Sequence, residues 1–168
     1  MINYLATQKN WQNAFSDTIT SFAELAQALD LPIDSFDSQV GQFPLKVPRR
    51  FVQKMGKGDI HDPLLKQVLP TFQETVQVTG FVTDPLDEQH ANPVKGIIHK
   101  YASRVLIPVT GACVVNCRYC FRQHFDYHEN LPTQNDWQAI SAYITAHPAI
   151  NEVILSGGDP LSLSNRRL

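Results

Sequence analysis

Apolar and polar positions along this 168-residue chain fall into two registers, one of helical period and one of short unbroken apolar runs. Trp11, Phe15, Phe22, Leu25, Ala26 and Leu29 recur at helical spacing, which predicts an amphipathic helix or helix pair over residues 8–29, ended near Pro32. PLKVPRRFVQKMGKG (44–58) predicts a short helix from Pro48 to Met55, stopped by Gly56 and Gly58. HDPLLKQVLP (61–70) predicts another, with Asp62 as N-cap, Pro63 at the first helical position and Pro70 at its end. Residues 71–100, with TDPLDEQ (83–89) and NPVKG (92–96), are turn-rich and irregular, and too long for a bare connection, so they are expected to pack against something.

The register changes at Arg104. RVLIPVT (104–110) predicts a strand buried on both faces, NDWQAISAYITAH (135–147) a helix with Asn135 as N-cap and Trp137, Ile140, Ile144 and His147 along one face, and EVILS (152–156) a second buried strand. Strand, loop, helix and strand within about fifty residues make a βαβ unit with parallel strands. Ligands of parallel α/β folds bind beyond the carboxyl ends of the strands. The loop GACVVNCRYCFRQ (111–123) leaves the first strand and GGDP (157–160) the second, so both are expected on one rim. Two strands cannot cover their own sheet, and the unit reads as the first part of a larger barrel. The expected fold class is therefore α/β: an N-terminal helical and irregular region over 1–100, then a truncated barrel start over 101–168.

Composition narrows the function classes. Apolar residues make up 43% and charged residues 18% of the chain, with a net charge of −2. This is a globular balance that gives no reason to expect nucleic acid or an anionic membrane as partner. No apolar run reaches the ~20 residues of a membrane span, and MINYLATQKNWQNAF lacks the pattern of a secretory signal. A cytoplasmic location with reduced thiols is the expectation.

All three cysteines, Cys113, Cys117 and Cys120, lie within eight residues. An odd, clustered set is not a disulfide framework. On spacing alone three readings stay open: small buried thiols, a zinc site completed by His124, or an iron–sulfur cubane whose fourth iron lacks a protein ligand. An open metal position is what chemistry requires.

Cys113-x3-Cys117-x2-Cys120, with Tyr119 before the third cysteine, resembles the radical S-adenosylmethionine (SAM) signature. HKYASRVLIPVTGACVVNCRYCFRQHF (99–125) and SGGDPL (156–161) resemble the lysine 2,3-aminomutase family. LKVPRRFVQKMGKGDIHDPLLKQVLP (45–70) and GFVTDPLDEQ (80–89) are similar to its branch that makes (R)-β-lysine for modifying translation elongation factor P. The resemblance runs from about residue 9 to the last. It implies a radical-SAM partial (βα)6 barrel in which Cys113, Cys117 and Cys120 hold a [4Fe–4S] cluster. SAM then supplies the missing ligand, with Tyr119 near its adenine and Gly157, Gly158 and Asp159 contacting its amino group. It further implies that Arg122 pairs with the substrate carboxylate, and that Tyr101 and Arg104 lie near the phosphate of pyridoxal 5′-phosphate (PLP). His99, His124 and His128 are placed near the same rim, with solvation or capping as the simpler role of each.

The implied reaction is a 1,2-amino shift from L-lysine to β-lysine, fed by an external electron donor. Elongation factor P is linked only through the product, and homo-oligomerisation is compatible with the resemblance. The family's PLP-anchoring lysine and the acids that recognise the substrate ε-ammonium belong to segments absent from this sequence, and neither Lys95 nor Lys100 has the context to replace that lysine. The expectation is an N-terminal portion of an aminomutase, inactive alone. The competing expectations are a radical-SAM aminomutase of another amino acid and a non-catalytic zinc or interaction module.

Overall fold

A computed structural model describes residues 16–37, 41, 43–164 and 166–167, with the side chain of Gln89 left aside. Among the described residues the chain is α/β with two small sheets, and it divides into two compact units. The expected helix over 8–29 is described only from residue 16, so Trp11 and Phe15 lie outside the described residues.

The first unit comprises residues 1–79 and 114–120. Strand β1 (Thr18–Ile19) pairs antiparallel with β2 (Val47–Pro48). Between them, α1 (Phe22–Leu29) buries Leu25, Ala26 and Leu29, neighbours on one helical face. Asp30 ends the helix in the left-handed region, φ 55°, a conformation that a short polar side chain tolerates. The Pro48–Met55 segment is helical only over α2 (Arg49–Val52), then closes with a turn in which Met55 N–H donates to Val52 O at 3.0 Å. The segment 61–70 is likewise shorter than expected. Asp62 does cap it, accepting from Leu64 and Leu65 N–H at 2.8 and 3.0 Å, but only Leu65–Gln67 form a 3₁₀ turn. Two i→i+4 bonds form, from Lys66 N–H to Asp62 O at 3.1 Å and from Leu69 N–H to Leu65 O at 2.9 Å, but the i→i+3 bonds of Gln67 and Val68 N–H lie between them, so no continuous α-helical ladder develops. Ile19, Leu25, Leu29, Val47, Leu65 and Val68 form the centre of the core, and each fully buried branched side chain contributes about 1.5–3 kcal/mol.

The second unit comprises residues 80–113 and 121–168. Its sheet has the order β3 (Ile98–Tyr101), β4 (Arg104–Thr110), β5 (Glu152–Gly157). The β4–β5 pair is parallel, as the βαβ pattern requires, and in register from Arg104↔Glu152 to Pro108↔Ser156. β3 is antiparallel to β4 and lies in the stretch expected to be irregular. Its IHKY is too short and too polar to register as a strand without its hairpin partner. Pro108 sits beyond the last β3 pair, Ile98↔Leu106, where β4 has a single ladder neighbour and a residue without N–H is tolerated.

Two helices lie between β4 and β5. Asp126 caps α3 (Tyr127–Asn130) by accepting from Glu129 N–H at 3.0 Å. The crossover α4 (Asp136–Ala146) packs buried Ile140 against Ile97, Val105 and Ile107. Asn135 makes no side-chain cap; the carboxylate of Asp136 closes this end instead, accepting from the N–H and hydroxyl of Thr133, both at 2.7 Å. β4 is buried as expected at Val105, Ile107 and Pro108. β5 is not: Val153 and Leu155 are 44% and 40% exposed, beside a half-exposed Trp137. Among the described residues β5 has one ladder neighbour, so nothing covers its outer edge.

Candidate functional site

The carboxyl ends of β4 and β5 are tied together by backbone. Gly158 N–H donates to Thr110 O at 2.6 Å, Asp159 N–H donates to Ala112 O at 2.9 Å, and Ala112 N–H donates to the Thr110 hydroxyl at 3.0 Å. The two loops do share one end of the sheet. The glycines have a definite steric task there. A Cβ on Gly158 would come within 2.7 Å of Ala112 C and 2.9 Å of its N, and Gly157, at φ 108°, would drive a Cβ into the Thr110 carbonyl oxygen. Their small size therefore lets two backbones meet. The Asp159 carboxylate accepts from Leu161 N–H at 3.0 Å and starts the turn Pro160–Ser162.

The cysteine loop departs from that end. None of the three cysteines is in a disulfide, and all are half-buried. Residues 114–120 pack with the first unit: Asn116 N–H donates to Lys46 O at 2.9 Å, Arg118 N–H donates to Gln67 O at 2.8 Å, and Val115 lies against the core. Cys120 N–H donates to Cys117 O at 3.2 Å. Burial pushes the Cys117 thiol above its ordinary range, and the neighbouring Cys120 adds to the effect. Arg118, between these cysteines, is 8% exposed. It donates through Nε to Glu74 Oε1 at 2.8 Å and through Nη2 to Glu74 Oε2 and to Phe43 O, the last at 3.1 Å. Tyr119 is 71% exposed and belongs to no core.

Arg122 is buried, its side chain 7% exposed. Its Nε donates to Glu88 Oε2 at 2.8 Å, its Nη2 to Glu88 Oε1 at 2.6 Å, and its Nη1 to Ser156 Oγ at 2.9 Å. The guanidinium carbon lies 4.7 Å from the centre of the Phe121 ring. Sequence reasoning missed both Glu88 and Ser156. The turn TDPLDEQ marked a bend and not a charge partner. Within it Asp84 accepts from Glu88 N–H at 3.2 Å and Asp87 adopts φ 51°, which together aim Glu88 inward.

Tyr101 and Arg104 face each other across the β3–β4 hairpin, the guanidinium 5.7 Å from the ring centre and 3.3 Å from Glu152. Both are exposed and stand at the amino end of β4, six residues or roughly 20 Å from Thr110. His99 lies within β3 and not on the rim: its Nδ1 is 2.7 Å from the Tyr143 hydroxyl. His128 is 94% exposed beside Glu129, and His124, also exposed, borders the cleft at Arg122. Among the described residues no three His, Cys, Asp or Glu side chains converge to hold a single metal ion. A cubane makes a different demand, since each thiolate binds a separate iron. Three half-buried thiols on one short loop, none of them in a disulfide, fit that donor set. No helix among the described residues is long and apolar enough to cross a membrane.

The fold and rim define an α/β protein with a three-thiol loop at the carboxyl end of a parallel strand pair. No family model matches the chain. Curated relatives do. The chain is 45% identical over 164 residues to the L-lysine 2,3-aminomutase of Haemophilus influenzae and 43% identical over 166 residues to that of Escherichia coli, in each case across 96% of this chain and 48% of the relative. It is 29% identical over 168 residues to the L-lysine 2,3-aminomutase of Clostridium subterminale, of which it covers 40%. The chain is a homologue of the L-lysine 2,3-aminomutases, and it spans about half the length of the curated relatives it matches.

Proposed function

We propose that this chain is the N-terminal portion of a radical-SAM, PLP-dependent aminomutase that converts L-lysine to (R)-β-lysine for modification of elongation factor P. The observation that carries the reading is the pairing of two loops: Cys113-x3-Cys117-x2-Cys120 leaves β4 where Gly157-Gly158-Asp159 leaves β5. The homology to L-lysine 2,3-aminomutases supports it. In this reading the two strands belong to a partial (βα)6 barrel. Cys113, Cys117 and Cys120 hold a [4Fe–4S] cluster. Together with SAM, electrons from an external donor and PLP, that cluster supplies radical chemistry for a 1,2-amino shift.

In this reading the chain's own residues take the roles that the resemblance implies, and their chemistry suits those roles. Backbone groups at Gly157 and Gly158 and the backbone carbonyl of Asp159 accept from an ammonium at the strand ends. Exposed Tyr119 offers a stacking face for adenine. Arg122 supplies N–H donors to the substrate carboxylate. Tyr101 and Arg104 offer a hydroxyl and a guanidinium to a phosphate from the far end of β4. The protein acts in the cytoplasm on a small amino acid, with no nucleic acid or membrane partner. Alone, the 168 residues catalyse no amino shift; turnover of lysine by the purified chain would refute that.

The test is anaerobic reconstitution with iron and sulfide, followed by electron paramagnetic resonance of the reduced chain with and without SAM. A [4Fe–4S]⁺ signal that shifts on adding SAM is the expected result. Tight zinc binding with no cluster would overturn it in favour of a zinc module.

A further inference from the structure

We infer that Glu88 is a positioning residue for carboxylate recognition by Arg122, an assignment that rests on the reading of Arg122 as the group that meets the substrate carboxylate. A guanidinium carries five N–H donors and keeps its charge at any pH a protein survives. Among the described residues Arg122 uses three of them: Nε and one Nη2 hydrogen on the two oxygens of Glu88, and one Nη1 hydrogen on Ser156. One donor remains on each terminal nitrogen. Glu88 is 5% exposed and grips the edge of the guanidinium that includes Nε, which fixes the rotation of the whole fork.

The surroundings argue for orientation as well as charge balance. Ser156 precedes Gly157 on β5, so its bond to Nη1 refers the fork to the carboxyl end of the sheet. Phe121 and Phe125, with ring centres 4.7 and 6.0 Å from the guanidinium carbon, restrict its plane. The cleft at this point is bordered by Glu88, Arg122, His124 and both phenylalanines. One N–H on each terminal nitrogen is left for a ligand that reaches Arg122 there, a number that suits the two oxygens of an α-amino acid carboxylate. Without Glu88 the same charge would turn toward whichever acceptor it could reach. The ligand would then have to reorder it on binding.

The test follows the Arg122 side-chain resonances in the full 168-residue chain labelled with ¹⁵N-arginine, titrated with L-lysine and with 1,5-diaminopentane, which lacks the carboxylate. In the unsubstituted chain L-lysine is expected to shift the Arg122 signals saturably and the diamine to leave them in place. Glu88→Gln is expected to weaken lysine binding about tenfold or more. Glu88→Asp, which keeps the charge on a shorter arm, is expected to recover part of the loss. Lysine affinity in Glu88→Gln equal to or tighter than in the unsubstituted chain would overturn the positioning role while leaving Arg122 as the carboxylate site. Should Glu88→Gln fail to fold, Glu88→Asp decides: undiminished affinity overturns the role, weakened affinity supports it. No carboxylate-dependent shift in the unsubstituted chain would remove the Arg122 reading itself, and this assignment with it. Iron–sulfide assembly on the cysteines would remain a separate question.

Discussion

Replacing Gly158 with alanine puts a methyl group where the Ala112 backbone already stands, 2.7 Å from its carbonyl carbon and 2.9 Å from its nitrogen. Backbone cannot rotate away as a side-chain tip can, so the β5 loop must lift from the start of the cysteine loop. Overpacking of this kind costs about 1–3 kcal/mol. Lifting also breaks the bonds from Gly158 N–H to Thr110 O and from Asp159 N–H to Ala112 O, each worth about 1 kcal/mol net. The expected loss is therefore about 3–5 kcal/mol, a large share of the roughly 5–15 kcal/mol available to an ordinary domain. Urea denaturation followed by circular dichroism measures the total, and amide exchange at Asp159 reports the local opening. A loss below about 0.5 kcal/mol with Asp159 protection unchanged would refute the backbone-contact reasoning.

Other perturbations have equally definite outcomes. Glu74→Ala strands the charge of buried Arg118 and is expected to cost about 3 kcal/mol in urea denaturation, while Glu74→Leu combined with Arg118→Met recovers most of the loss. The Asp62 carboxylate is held below the usual aspartate range, first by Gly56 N–H and then by Leu65 and Leu64 N–H. Its folded value lies under its unfolded one, so its contribution is complete above about pH 4 and lost as pH falls through the folded value. Carbon-detected titration should put its midpoint below that of a free aspartate, and Asp62→Asn should flatten the acid limb of stability. Cys117, with its thiol pushed up by burial, keeps its proton to higher pH. Iodoacetamide at pH 8 is expected to alkylate it more slowly than a cysteine in an unstructured peptide, with mass spectrometry of the labelled peptide as the readout.

Legibility in the sequence followed the range of the interactions involved. RVLIPVT and EVILS are apolar runs whose strand character is local, and their parallel pairing follows from the helix between them. The GGDP segment was legible as a special backbone position, but its steric partner, the backbone of Ala112, could come only from the fold. IHKY became a strand through its hairpin with β4. Burial of EVILS was misjudged because an apolar run reports what a strand needs and not whether a neighbour is there to provide it. At the site, the cysteines announce themselves by spacing, whereas Glu88 lies 34 residues from Arg122 and carries no local pattern. A charged residue in a turn is ordinarily solvated, so only the fold distinguishes this one.

The bare edge of β5 has a consequence in time. Under the proposed reading a second half of similar length follows this one off the ribosome, and at about 5–20 residues per second it takes roughly 10–30 seconds to emerge. Throughout that interval Val153 and Leu155 stand exposed beside an unpaired strand edge, the arrangement most readily captured by another nascent chain. Under that reading polysome density and chaperone occupancy enter the yield of native protein, through an edge that the proposed second half covers once folding is complete.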